Sequence, residues 1–150
     1  MFEAPVLYSE RLELTPLEDA DREPLREVLS LEPVRRYLLD GNEPDREWVE
    51  SVVADSKADF ARAGLGLWAA RRPRQPALIG FVGYRQFRDP PIEEVLYALH
   101  PGAWGQGFAT ELAHVVIGYA FTEAGRDRVV ASIDLPNEAS HRAMGRENRP

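Results

Sequence analysis

The residues with the clearest chemical potential run Trp104-Gly105-Gln106-Gly107-Phe108-Ala109. Glycines and an alanine stand here where a strand-like pattern gives way to a helical one. Small residues at such a junction let an anion approach the backbone. The first N–H groups of a helix have no internal acceptor and carry partial positive charge. A phosphate or pyrophosphate would satisfy them; a glycine turn of purely structural use is the alternative. Neither common nucleotide motif is present: no Gly-Lys-Ser/Thr occurs, and Gly105 and Gly107 are followed by Thr110, not by a third glycine. Other chemistry-bearing residues are dispersed. His100, His114 and His141 fall on different predicted elements without metal-ligand spacing, so no metal site is expected. There is no Gly-x-Ser-x-Gly elbow to suggest a hydrolase triad.

The elements around the turn follow from periodicity. Arg11 to Thr15 alternates, with Leu12 and Leu14 on one face, and predicts a strand. Thr15-Pro16-Leu17-Glu18 has capping-box spacing before a helix carrying Leu25, Val28 and Leu29. Pro33 to Leu39 predicts a second short helix. Pro44 and Asp45 open a longer one, whose apolar face is Trp48, Val49, Val52, Val53 and Phe60, and Gly64 ends it. Trp48 and Trp68 are expected in the core. Leu65 to Ala70 and Leu78 to Phe87 predict a hairpin around Arg71-Arg72-Pro73-Arg74-Gln75-Pro76, whose arginines are expected to be a solvated loop. Ile92 to Leu99 is the strand leading into the glycine turn. Tyr97 on it is expected in the core, with lining of an acceptor pocket as the alternative. A helix then runs to Ala124 with Leu112, Ala113, Val116, Ala120 and Phe121 buried, and Gly125 caps it. Val129 to Leu135 is an apolar strand, and Pro136 begins a last helix. Strand, turn, helix and strand in that order form a βαβ unit, so a mixed α/β (α+β) architecture with helices on both faces of the sheet is expected.

Composition bounds the function. The chain has 150 residues, which suits one domain over residues 1–150. Hydrophobic residues make 44% and charged residues 29%, a globular balance. With no cysteine there is no disulfide or thiol nucleophile. A net charge of −7 argues against a duplex-binding surface and slightly favours a cationic acceptor. Lys57 is the only lysine among 18 basic residues, which reads as coding bias. No apolar run reaches membrane-spanning length, and Met1 to Glu10 lacks the basic and apolar regions of a signal peptide, so a cytoplasmic protein is expected.

Three ordered motifs sharpen this picture. Glu94-Val95-Leu96-Tyr97-Ala98-Leu99, then Trp104-Gly105-Gln106-Gly107-Phe108-Ala109-Thr110-Glu111, then Pro136-Asn137-Glu138-Ala139-Ser140 resemble the GNAT superfamily of acetyl-CoA-dependent N-acetyltransferases, most closely its RimJ/RimL-type branch. Ser9-Glu10-Arg11-Leu12-Glu13-Leu14 resembles that branch's opening strand. The resemblance implies the GNAT fold, a mainly antiparallel sheet of about five strands. It implies that the turn from Trp104 through Gly105, Gln106, Gly107, Phe108 and Ala109 to Thr110 holds the CoA pyrophosphate. The strand from Tyr97 to Leu99 would pair through its backbone with the pantetheine arm, with Asn137 steadying that side. Ser140 would stand near the thioester sulfur. Glu94 matches the family's strand glutamate and is the candidate base, with neighbouring Glu93 as its competitor.

The implied activity is transfer of an acetyl group from acetyl-CoA to an amine acceptor, by direct attack and without a metal. The acceptor would be a protein N-terminus or a small-molecule amine. Nucleic acid and membrane are not expected partners. The alternatives are a catalytically impaired domain that binds acyl-CoA without turnover and a truncated fragment that only self-associates. Where members of the family continue past the last helix into two more strands, this sequence reads Gly145-Arg146-Glu147-Asn148-Arg149-Pro150. The C-terminal hairpin is therefore expected to be missing. The Val129 strand would then be an exposed apolar edge, and a homo-oligomer formed by edge pairing is expected.

Overall fold

A computed structural model describes residues 4–38, 44–86, 93–125 and 130–131. The chain opens with β1 (Leu7–Tyr8) and β2 (Glu13–Pro16). After a 3-10 turn come α1 (Arg22–Ser30), α2 (Glu32–Leu38) and α3 (Arg46–Ala63). Strands β3 (Leu67–Arg71), β4 (Leu78–Gln86) and β5 (Glu93–Leu99) follow. A second 3-10 turn leads to α4 (Phe108–Thr122) and β6 (Val130–Ala131). The sheet order is β1-β2-β3-β4-β5-β6. The first five strands are antiparallel neighbours, and β6 returns parallel to β5 after the α4 crossover. This is the expected mixed sheet with its βαβ unit, extended at one edge by the short β1.

Both faces of the sheet are covered. Trp68, Ala70, Val82, Tyr84, Val95 and Leu99 pack with α4 on one side. Leu67, Ala69, Phe81 and Ala98 pack with α1 and α3 on the other. A strand covered on both faces has no solvated side, which is why β3 reads as an apolar run instead of an alternating one. Ser56, buried on α3, accepts from Leu67 N at 2.8 Å and so ties that helix to β3.

Several local expectations shift. The Asp45 side chain accepts from Trp48 N at 2.7 Å to start α3, and Gly64 ends it at φ 78, both as predicted. Trp48, however, is 36% exposed. The buried stripe is Val49, Val52, Val53, Ser56 and Phe60, and one residue back along a helix turns a side chain about 100° away. Phe121, 44% exposed, leaves the α4 stripe for the same reason, and Phe108, Ile117 and Tyr119 take buried places there. Trp68 is fully buried as expected. Thr15 pairs in β2 with Ala69, so it caps nothing. The cap lies three residues on, where Asp21 Oδ2 accepts from Glu18 N at 2.9 Å.

The arginine turn is also more than a solvated loop. Arg71 Nη2 donates to Asp21 Oδ1 at 2.6 Å, and Asp21 is buried. Arg72 stands over the Phe108 ring at 5.2 Å. Only Arg74, exposed at φ 62, is as expected. No described helix is long and apolar enough to cross a membrane. The last helix from Pro136, the strand beyond Ala131 and the presence or absence of a closing hairpin lie outside the described residues.

Candidate functional site

The turn between β5 and α4 is built by its own polar groups. His100 N donates to Ile79 O at 2.7 Å and holds the end of β5 against β4. The imidazole of His100 accepts from Gly102 N at 2.9 Å. Trp104 Nε1 donates to Leu99 O at 2.9 Å, which folds the turn back onto the end of the strand. Gln106 Nε2 donates to Gly102 O at 2.9 Å and closes the turn on itself.

Two positions require glycine. Gly105 has φ 75 and Gly107 φ 81, the left-handed region where a Cβ is penalised. A Cβ added at Gly105 would meet nothing within 4 Å, so space remains in front of that residue. Gly107 is the N-cap of α4, and among the described residues no side chain caps there. The first helical bond runs from Glu111 N to Gly107 O at 3.1 Å. The N–H groups of Phe108, Ala109 and Thr110 thus precede the first helical donor and have no acceptor within the helix, and their dipoles add at this end. Trp104, Gly105, Gln106 and Gly107 are exposed, while Phe108 is buried and anchors the helix.

A second set of residues, which local spacing did not single out, grips this turn from the start of the chain. Arg11 Nη2 donates to Gln106 O at 2.9 Å, and Arg11 Nε donates to Glu111 Oε1 at 2.8 Å. Arg11 N donates to Glu111 Oε2 at 2.9 Å, and the Ser9 hydroxyl donates to that same oxygen. The guanidinium also lies over the Phe108 ring at 4.2 Å. Burial would raise the Glu111 carboxyl, but the hydrogen bonds from Ser9 and from the Arg11 backbone and side chain, with the Arg11 charge, outweigh it. They hold the group below the ordinary glutamate range. Arg11 and Glu111 are 100 residues apart, so no local spacing could reveal the pair.

Of the other predicted site residues, Leu99 is buried and its carbonyl is already bonded to Trp104. Tyr97 is half-buried against the α4 side of the core. Glu94 lies near the start of β5, the strand that leads into the glycine turn, in register between Arg85 of β4 and Val130 of β6. The side chains of Glu93 and Glu94, and all of Asn137, Ser140 and His141, lie outside the described residues. The described residues hold no group of three or more His, Cys, Asp or Glu able to bind a metal ion.

The chain is similar to known proteins in both sequence and fold. Uncharacterized N-acetyltransferase YoaA of Bacillus subtilis (strain 168) is 29% identical over 141 residues, covering 93% of this chain and 80% of that one. The crystal structure of an acetyltransferase from Agrobacterium tumefaciens str. C58 superposes with a TM-score of 0.82 at 25% identity, over 98% of this chain and 84% of that one. RimL, a ribosomal L7/L12 alpha-N-protein acetyltransferase solved in complex with coenzyme A, shares the fold at a TM-score of 0.76 and 15% identity, over 95% of this chain and 82% of its own. Residues 11–147 match the Acetyltransferase (GNAT) domain family, so the match takes in both Arg11 and the glycine turn, and the chain belongs to that family of acetyl-transferring enzymes.

Proposed function

We propose that residues 1–150 form one acetyltransferase domain, of the RimJ/RimL type and cytoplasmic, that moves the acetyl group of acetyl-CoA to a primary amine. The observation that carries this reading is the uncapped amide end of α4, opened by Gly105 and Gly107. CoA brings a pyrophosphate, and those N–H groups are donors without helical acceptors. RimL, which shares the fold, was solved in complex with coenzyme A, and this supports CoA as the ligand. The backbone from Trp104 to Thr110 holds the pyrophosphate. Leu99 and Asn137 flank the pantetheine arm.

In the reaction the amine nitrogen attacks the thioester carbonyl carbon, a C–N bond forms and the C–S bond breaks. Glu94 takes the amine proton, directly or through water. Ser140 donates a hydrogen bond to the departing sulfur, and the proton taken from the amine passes to that thiolate to give the CoA thiol. Neighbouring Glu93 is the competitor of Glu94 for the role of base. The acceptor is a protein N-terminus or a small amine, and no metal takes part. The same reading sets a second copy against the outer edge of β6, the terminal strand of the described sheet. A monomer by sedimentation would remove that element.

Calorimetric titration with CoA, followed by thiol release on a panel of amines, tests the proposal. Saturable binding and amine-dependent thiol are expected. Glu94→Gln should lower turnover and spare CoA affinity. Absence of saturable CoA binding would overturn the assignment of the turn, and binding without turnover on any amine would favour an acyl-CoA-binding domain.

A further inference from the structure

Arg11 reaches the turn from a distant part of the chain and touches its backbone at one atom. Its Nη2 bonds the carbonyl oxygen of Gln106, at 2.9 Å, and its Nε is held by Glu111 Oε1 at 2.8 Å. In a trans peptide the C=O and the following N–H point in opposite directions. Fixing Gln106 O on the Arg11 side therefore turns the Gly107 N–H the other way. Gly107, at φ 81, has no side chain to restrain that peptide itself. A Cβ there would stand 3.4 Å from Arg11 Nη2, so the guanidinium is packed directly against the turn.

We infer that Arg11 is a positioning residue for the CoA-binding turn, fixing the Gln106–Gly107 peptide so that the Gly107 N–H faces the pyrophosphate. The inference rests on the proposed acetyl-CoA reading. A direct phosphate contact is the competing role, and the bonding disfavours it. The Glu111 carboxylate neutralises the guanidinium, and two of its nitrogens are already engaged. Ser9 supports the arrangement through the other oxygen of Glu111.

Arg11→Met keeps an apolar stem against Phe108 and removes every side-chain donor. Arg11→Lys keeps the charge, but its single ammonium cannot reproduce the fork that bridges Gln106 O and Glu111. Both variants should weaken CoA binding by about tenfold, the scale of one misdirected charge-assisted amide bond. The KM for acetyl-CoA should rise by more than kcat falls. In the unliganded protein, the Gly107 amide resonance should move in both variants. Wild-type affinity in Arg11→Lys would overturn positioning in favour of a charge contact. Wild-type affinity in both, or an unmoved Gly107 resonance, would leave Arg11 a purely structural residue. If Arg11→Met fails to fold, Arg11→Lys alone decides. If the wild-type protein binds no CoA, the functional reading fails, and the Gly107 resonance still reports whether Arg11 sets the turn.

Discussion

Replacing Glu111 by glutamine probes the grip on the turn without changing side-chain size. Glu111 accepts through both oxygens, from Arg11 Nε on one and from Arg11 N and the Ser9 hydroxyl on the other. An amide has one oxygen, so in either orientation its NH₂ faces a donor. The flip that loses least keeps the Ser9 and Arg11 backbone bonds and gives up the guanidinium. A hydrogen bond to a charged group contributes about 1.5–3 kcal/mol, against about 1 for a neutral pair. The Glu111 side chain is 15% exposed and that of Arg11 44%, so solvent screens the pair and the lower end applies. A loss of about 1–2 kcal/mol follows, which in a domain of this size lowers Tm by about 2–8 °C. The pH dependence has a definite sign. The carboxyl is held below its ordinary value in the folded protein. Its contribution is therefore complete above the unfolded value, about 4.3, and disappears as pH falls through the lower folded value. Urea denaturation of both proteins should show the full deficit at pH 7 and a shrinking one below pH 4. Equal stability at pH 7, or a deficit that grows on acidification, would refute the reasoning.

Trp104→Phe removes the donor to Leu99 O, and because Trp104 is 39% exposed, water replaces it. Stability should fall by no more than about 1 kcal/mol, while steady-state kinetics show a severalfold rise in the KM for acetyl-CoA. Tyr84→Phe removes a buried hydroxyl that donates to Val116 O at 2.6 Å on the face of α4. Tm should drop by a few degrees with no change in that KM, checked by calorimetry and kinetics on one preparation. Gly107→Val should abolish CoA binding. Because φ there is 81, it should also destabilise the fold by at least about 1–2 kcal/mol, measurable in urea.

What was legible in the sequence was local. The start and end of α3 rest on Asp45 and Gly64, and the glycine turn rests on residues within one short stretch. Cap and turn chemistry act over a few residues, so composition at those points determines geometry. Features that depend on a neighbouring element were not legible. Trp48 and Phe121 look apolar enough for a core, yet each sits beside the buried stripe, and only the helix's docking angle decides which rim stays wet. Arg71 lies in a run of arginines that resembles a solvated loop. Its partner Asp21 comes from a turn 50 residues earlier, and only the pairing of β2 with β3 brings them together.

The charge of the whole chain illustrates the same limit at the site itself. A net charge of −7 suggests a protein that would repel an anionic cofactor. Exposed charges beyond about 10 Å are largely screened at ordinary salt, so the local balance decides. At the start of α4 the guanidinium carbons of Arg11 and Arg72 stand 4.2 and 5.2 Å from the centre of the Phe108 ring. Glu111 cancels one of these cations and in doing so holds it in place. The surplus cation and the partial positive charge of the helix end then act together on whatever approaches the turn. Under the proposed function the acidic residues elsewhere would act on a different partner: an amine acceptor is cationic until it gives up its proton, and a negative field would draw it in. A chain acidic overall and cationic at one helix end would thus suit the proposed anionic donor and cationic acceptor at once.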